Sequence, residues 1–284
     1  MALFVALLSA GAAPAFAGPD DLGSQALEGA QQSGSAVESP DYNGLDYTRP
    51  QQNAELRLRF RTSSSPTSDT DKEQVYLQVS TKIDLPAAWK LALQGQLQFA
   101  DKEVTAVAPP NTTRDAGLGD SVLQAALIQS FDSHWAYGFG ARLVAPSAED
   151  SLGSGKWQIM PGFGVRYSFL EIGPDTYFVP VLRWAVSFAG DPTRRDINEP
   201  QFAPTFNIGL PERWFVTLYP SNDIRINYGE PVPGQTGRLF LPLDAALGRA
   251  ITDRVTALLE VSVPIVKDYP VYNFKTEFRL SVKF

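Results

Sequence analysis

A chain of 284 residues with 24 Lys and Arg against 31 Asp and Glu carries a formal charge of −7, which argues against a nucleic-acid partner, since such a partner needs a basic surface. The absence of cysteine excludes thiolate catalysis, thiolate-held metals and disulfides, and the single histidine, His134, cannot supply a two-histidine metal centre. Apolar residues reach 44%, yet no run approaches the roughly 18 consecutive positions of a membrane-spanning helix.

Residues 1–17, MALFVALLSAGAAPAFA, form an apolar stretch closed by Ala15-Phe16-Ala17, the small-x-small pattern cut by signal peptidase, so the chain reads as exported. Residues 18–53 are rich in Gly, Ser, Gln and Pro without strand or helix periodicity. They read as a flexible periplasmic lead-in, with a plug folded into a pore as the other reading.

From position 54 the pattern changes. In Ala54–Thr62, Leu56, Leu58 and Phe60 share one parity and Glu55, Arg57, Arg59 and Arg61 the other, the period of a β-strand. The same alternation returns along the chain to Phe284. It places strands at 54–62, 73–84, 89–100, 119–131, 135–146, 156–169, 175–188, 202–210, 214–228, 237–247, 254–265 and 273–284, with 214–228 read as one strand interrupted at Pro220-Ser221-Asn222-Asp223. Most run about 9–13 residues, as a tilted strand needs to cross hydrocarbon, against about 5–6 in globular sheets. Twelve strands, an even number, with long connections such as 101–118 alternating with short ones such as 132–134, predict an all-β fold: a single antiparallel transmembrane β-barrel over 54–284 in the outer membrane.

Aromatic positions agree with that reading. Trp89, Phe131, Trp135, Tyr137, Tyr167, Phe169, Trp214 and Phe284 fall near the short turns, and Phe60, Phe99, Trp157, Phe188, Phe202 and Tyr228 near the opposite rim, as interfacial girdles require. The terminal Phe284, preceded at every second place by Val282, Leu280 and Phe278, resembles the signature by which the barrel assembly machinery recognises its clients. Pro161 and Pro180 fit badly, because each removes a ladder donor at membrane depth.

Gly117-Leu118-Gly119-Asp120 opening a strand, Gly138-Phe139-Gly140 in a strand ending Ala145-Pro146, then Leu152-Gly153-Ser154-Gly155-Lys156-Trp157 and Pro161-Gly162, resemble the outer-membrane family described as putative MetA-pathway of phenol degradation. The resemblance covers roughly 117–169 plus the last strand. It implies a transporter-type barrel passing aromatic or other small hydrophobic molecules, and brings no catalytic residues with it.

Enzyme motifs fail. Gly155-Lys156 lacks both the first glycine and the Ser/Thr of a phosphate loop, and Ser154 lacks the flanking glycines of a nucleophile elbow. A barrel hydrolase acting on lipids is the rival from another class, but its base would have to be His134, in the turn Asp132-Ser133-His134 at the periplasmic rim. A closed structural barrel is a third reading. No metal or cofactor site is read; Asp69, Asp71 and Glu73 read as a solvated charge run.

Inward parity collects fifteen cations, Arg57, Arg59, Arg61, Lys82, Lys90, Arg142, Lys156, Arg166, Arg183, Arg225, Arg238, Arg254, Lys275, Arg279 and Lys283, against six anions, Glu55, Asp84, Asp120, Asp244, Glu260 and Glu277. On a lipid face each central cation would cost about 2–4 kcal/mol. The prediction is a passive channel for small, anionic or aromatic solutes, lined by Arg57, Arg59, Arg61, Lys82, Arg142, Arg166, Arg183, Arg225, Arg254, Arg279, Asp120 and Glu260. The competing outcome is that these cations pair with lumen acids and fill a closed interior.

Overall fold

Alternating side chains force a strand to present two unlike faces, and here both find their solvent by curling one sheet closed. The structure is a computed structural model that describes residues 45–284 except 150 and 174; the leader and most of the lead-in lie outside the described residues. Its strands are β1 (Asn53–Ser64), β2 (Ser68–Asp84), β3 (Trp89–Ala106), β4 (Asn111–Leu118), β5 (Ser121–Ser130), β6 (Trp135–Ala145), β7 (Lys156–Ser168), β8 (Tyr177–Gly190), β9 (Asn198–Gly209), β10 (Trp214–Leu218), β11 (Ile224–Ile226), β12 (Leu239–Ala250), β13 (Val255–Lys267) and β14 (Phe274–Lys283). Segments β4 and β5 share one wall position beside β3, and β10 and β11 share another between β9 and β12. The wall is therefore a closed antiparallel barrel of 12 strands. It is sealed by β1 against β14 from Asn53–Lys283 to Thr62–Phe274.

Large apolar side chains lie on the outside: Val79 is 57% exposed, Leu97 51%, Leu123 59% and Leu259 52%, while their inward neighbours Gln74, Tyr76 and Gln78 are buried. That distribution suits hydrocarbon outside and water within, and it rules out a sandwich, whose apolar faces would meet each other. Near the short turns the rings gather in two clusters, Trp89–Tyr137 at 5.6 Å with Phe131–Tyr137 at 5.0 Å, and Trp135–Tyr167 at 4.8 Å with Tyr167–Phe169 at 4.8 Å.

Two departures from the sequence reading have local causes. The connection expected over 101–118 is instead a tall hairpin, in which β3 runs to Ala106 and β4 returns along it from Asn111. Thr105, Thr112, Thr113 and Val104 favour extended backbone, and Arg114 grips Asp101 across the pair. The interrupted strand, in turn, leaves the wall over 219–223 before rejoining it at Ile224.

The prolines explain how a barrel in lipid tolerates such a departure. Opposite residues of an antiparallel ladder alternate between pairs that exchange both backbone bonds and pairs that exchange neither. Ser187 N donates to Ile197 O, which puts Pro180–Pro204 among the pairs that exchange none, so Pro204 turns its donorless nitrogen toward the position vacated by 219–223. By the same count from Ile251 N donating to Val255 O, Pro242 faces that vacancy from β12. Neither flank thus presents a backbone N–H to the gap. Pro161 and Pro180 likewise point at each other's strand, β8 and β7, where the ladder skips 160–161 and 165–166.

Candidate functional site

The inward faces enclose a cavity of about 530 Å³ whose wall is polar and unevenly charged. One half is built from β1, β12, β13, β14 and the excursion 219–223. There Arg57 pairs with Glu55, Arg59 and Arg279 with Glu277, and Arg279 Nη2 also donates to Glu260 at 2.7 Å. Arg225 donates to Asp223 at 2.7 Å, and Ser221 Oγ donates to Glu260 at 2.8 Å. Lys275 pairs with Glu260 and Asp223 and lies 3.5 Å from Asp244. Asp223, Asp244 and Glu260 are near enough to one another to hold a metal ion, but the Lys275 ammonium already supplies their cation. Charges here balance and hold the excursion in the bore.

The other half, from β3 to β9, is lined by amides. Arg142 donates Nε and Nη2 to Gln124 Oε1 at 3.0 and 2.9 Å, and Arg183 donates the same pair to Gln201 Oε1 at 3.0 and 2.7 Å. Across the bore on β1, near the outer rim, Arg61 also meets an amide, donating to Gln74 Oε1 at 2.7 Å. Among the described residues none of these three guanidiniums forms an ion pair. Asp120, on the cavity wall, spends one carboxylate oxygen on Ser154 N and Oγ, both at 2.8 Å, fastening the loop that follows β6.

Residues 45–52 enter the bore from the rim where β1 begins. Asp46 accepts from Arg166 Nη1 at 3.2 Å and from Thr48 N at 2.9 Å, and Arg49 donates to Ser168 Oγ at 3.1 Å while lying 3.5 Å from Asp175. Leu45 packs on the buried trio Phe215, Ala246 and Leu258. The Tyr47 ring fills space that two glycines leave open: a Cβ on Gly138 would stand 3.2 Å from its Cε2, and one on Gly164 would overlap its hydroxyl.

Among the residues picked from sequence, Arg57, Arg59, Arg142, Arg183, Arg225, Arg279 and Asp120 border the cavity. Glu260 lies fully buried beneath Lys275 and Arg279, and Arg166 is buried under Asp46. Lys82 is half-buried on β2, and Arg254 stands exposed in the turn 251–254. Parity missed Asp223, because a residue counted into a turn was not counted into the bore, and Asp46, which precedes the first predicted strand; Asp175, the first residue of the predicted strand 175–188, was left out of the inward count although it shares the parity of Tyr177. His134 Nδ1 meets Ser133 Oγ at 3.1 Å within the turn, and Asp132 Oδ1 accepts from the backbone N–H groups of His134 and Trp135, each at 2.7 Å.

Residues 59–219 match the family model described as putative MetA-pathway of phenol degradation. No curated protein matches the chain. Its fold is similar to that of the COG4313 outer membrane channel from Pseudomonas putida F1, with a TM-score of 0.65 at 14% identity, covering 83% of this chain and 96% of that one. It is also similar to the beta domain of the Bordetella autotransporter Brka, at 0.50 and 8%, covering 82% and 100%. The KdgM porin gives 0.48 at 10%, covering 81% and 99%. At such identities the likeness is one of fold.

Proposed function

This chain belongs to the family described as putative MetA-pathway of phenol degradation, and from that premise we propose that it is a passive, non-enzymatic outer-membrane channel for small solutes that favours anions. The observation that carries the reading is a polar cavity inside a closed ring of strands, in which some guanidiniums have a carboxylate partner and others have none among the described residues. An unbalanced cation raises the local concentration of anions and lowers that of cations. The likeness of fold to a structure named as an outer membrane channel supports the same reading.

Two elements set the width of the path. The excursion 219–223, locked by the Asp223 and Glu260 ion pairs, is its fixed constriction, and the segment 45–52 narrows the periplasmic mouth and governs how often it opens. Phe284, exposed at the end of β14, is the handle for the barrel assembly machinery. Reconstitution into planar bilayers under a KCl gradient tests the reading: discrete current steps with a reversal potential on the chloride side support it, and a potential on the potassium side removes the anion preference.

A further inference from the structure

Resting on the channel reading above, we propose that Arg142 and Arg183 together form a binding subsite for the carboxylate of a small organic acid with an apolar body. Both guanidiniums are held rigidly, each by two N–H groups sharing a single glutamine oxygen. A guanidinium carries five N–H donors, so three on each remain for the bore. The two side chains approach from either side of β7: Arg142 stands opposite Met160 in the ladder, and Arg183 opposite Gly162. Met160 and Gly162 share the inward face of β7, and the glycine contributes no side chain between the two forks.

Two like charges on one cavity wall, neither with an ion-pair partner among the described residues, repel each other. An arriving anion relieves that repulsion and meets two planar forks shaped for a carboxylate. The rest of the lining decides which anion. Met160 and Val181, both only half-buried, line the cavity beside the guanidinium pair, with Val144 and Val179 buried behind them, so the pair lies against an apolar patch. A small inorganic anion leaves that patch wet, whereas an organic acid covers it and gains the area removed from water. The cavity, about 530 Å³, has the capacity of a small-molecule site. In the paired half of the bore Arg57, Arg59, Arg225 and Arg279 already have carboxylates, and Arg61, which has none among the described residues, stands alone near the outer rim without a second fork beside it.

Calorimetric titration of the full-length processed protein in detergent micelles tests this with sodium benzoate, its neutral counterpart benzamide, and inorganic phosphate. Benzoate is expected to bind roughly tenfold or more tightly than either of the others, and Arg142→Gln/Arg183→Gln to lose roughly tenfold or more of that affinity. The variant Arg142→Lys/Arg183→Lys, which keeps both charges but not the forks, is expected to fall between; it serves if the glutamine variant does not refold. Equal binding of benzamide, equal binding of phosphate, or undiminished benzoate affinity in both double variants would overturn the proposal. Bilayer recording of the same proteins separates the two readings. Conductance without benzoate selectivity removes the subsite and leaves the channel, whereas benzoate binding without conductance removes the channel and leaves the subsite.

Discussion

The hold of residues 45–52 on the periplasmic mouth is open to a direct energetic test through Asp46→Asn. Asp46 is 2% exposed and Arg166 1%, and Asp46 is the ion-pair partner of Arg166 among the described residues. Arg49, which also contacts Asp46 at 3.3 Å, keeps Asp175 at 3.5 Å. Breaking a buried pair from one side costs about 3–5 kcal/mol. The lower end applies here, since asparagine retains an acceptor for Thr48 and Arg49 keeps a second carboxylate. That cost falls on the docked state alone, because with the segment withdrawn Arg166 faces bore water. A loss of about 3 kcal/mol raises the undocked population roughly 150-fold. Single-channel recording should show open probability rising steeply while strand content is unchanged. The chain has no cysteine, so Thr48→Cys with and without Asp46→Asn reports the same opening as a faster rate of thiol labelling. Unchanged open probability together with unchanged labelling would refute the latch.

Other consequences follow from the same contacts. Glu277→Gln strips the shared partner from Arg59 and Arg279 and should lower unfolding stability in urea by about 3 kcal/mol or more; a change under about 1 kcal/mol contradicts a paired half-wall. Gly164→Ala places a methyl where the Tyr47 hydroxyl sits and 2.7 Å from Pro180 O, so it should displace Tyr47 and raise conductance, read as larger or more frequent current steps. At the rim, the backbone N–H groups of Trp135 and His134 hold the Asp132 carboxyl below the usual carboxylate range. With the folded value depressed, its stabilising contribution is complete above the ordinary carboxylate range and is lost as pH falls through the depressed value; carbon-detected NMR titration of Asp132 should find its midpoint below that of an unfolded-chain aspartate.

Much of the fold was legible because a strand between lipid and water leaves a period-two trace at every residue, and the trace runs from Leu56 to Val282. The ladder partners were not legible, since alternation names the face a side chain takes but not its neighbour. Arg59 finds Glu277, 218 residues away, only because β1 seals the barrel against β14. For the same reason alternation could not tell which inward cations pair: Arg57, Arg59, Arg225, Lys275 and Arg279 meet carboxylates, while Arg61, Arg142 and Arg183 meet amides. The excursion 219–223 was visible only as turn chemistry, Pro220 to Asp223. What sends it inward is long-range, the buried Lys275 and Glu260 together with the donorless nitrogens of Pro204 and Pro242. A proline removes a ladder donor from any strand, and these two fit their strands because the missing donors face the gap.

Planar-bilayer recording of the purified protein and its Asp46→Asn variant in a KCl gradient addresses the central claim most directly. The account predicts discrete steps from both, more frequent in the variant, with chloride carrying the larger share of current. Silence from both proteins, once folded insertion is verified, would contradict it.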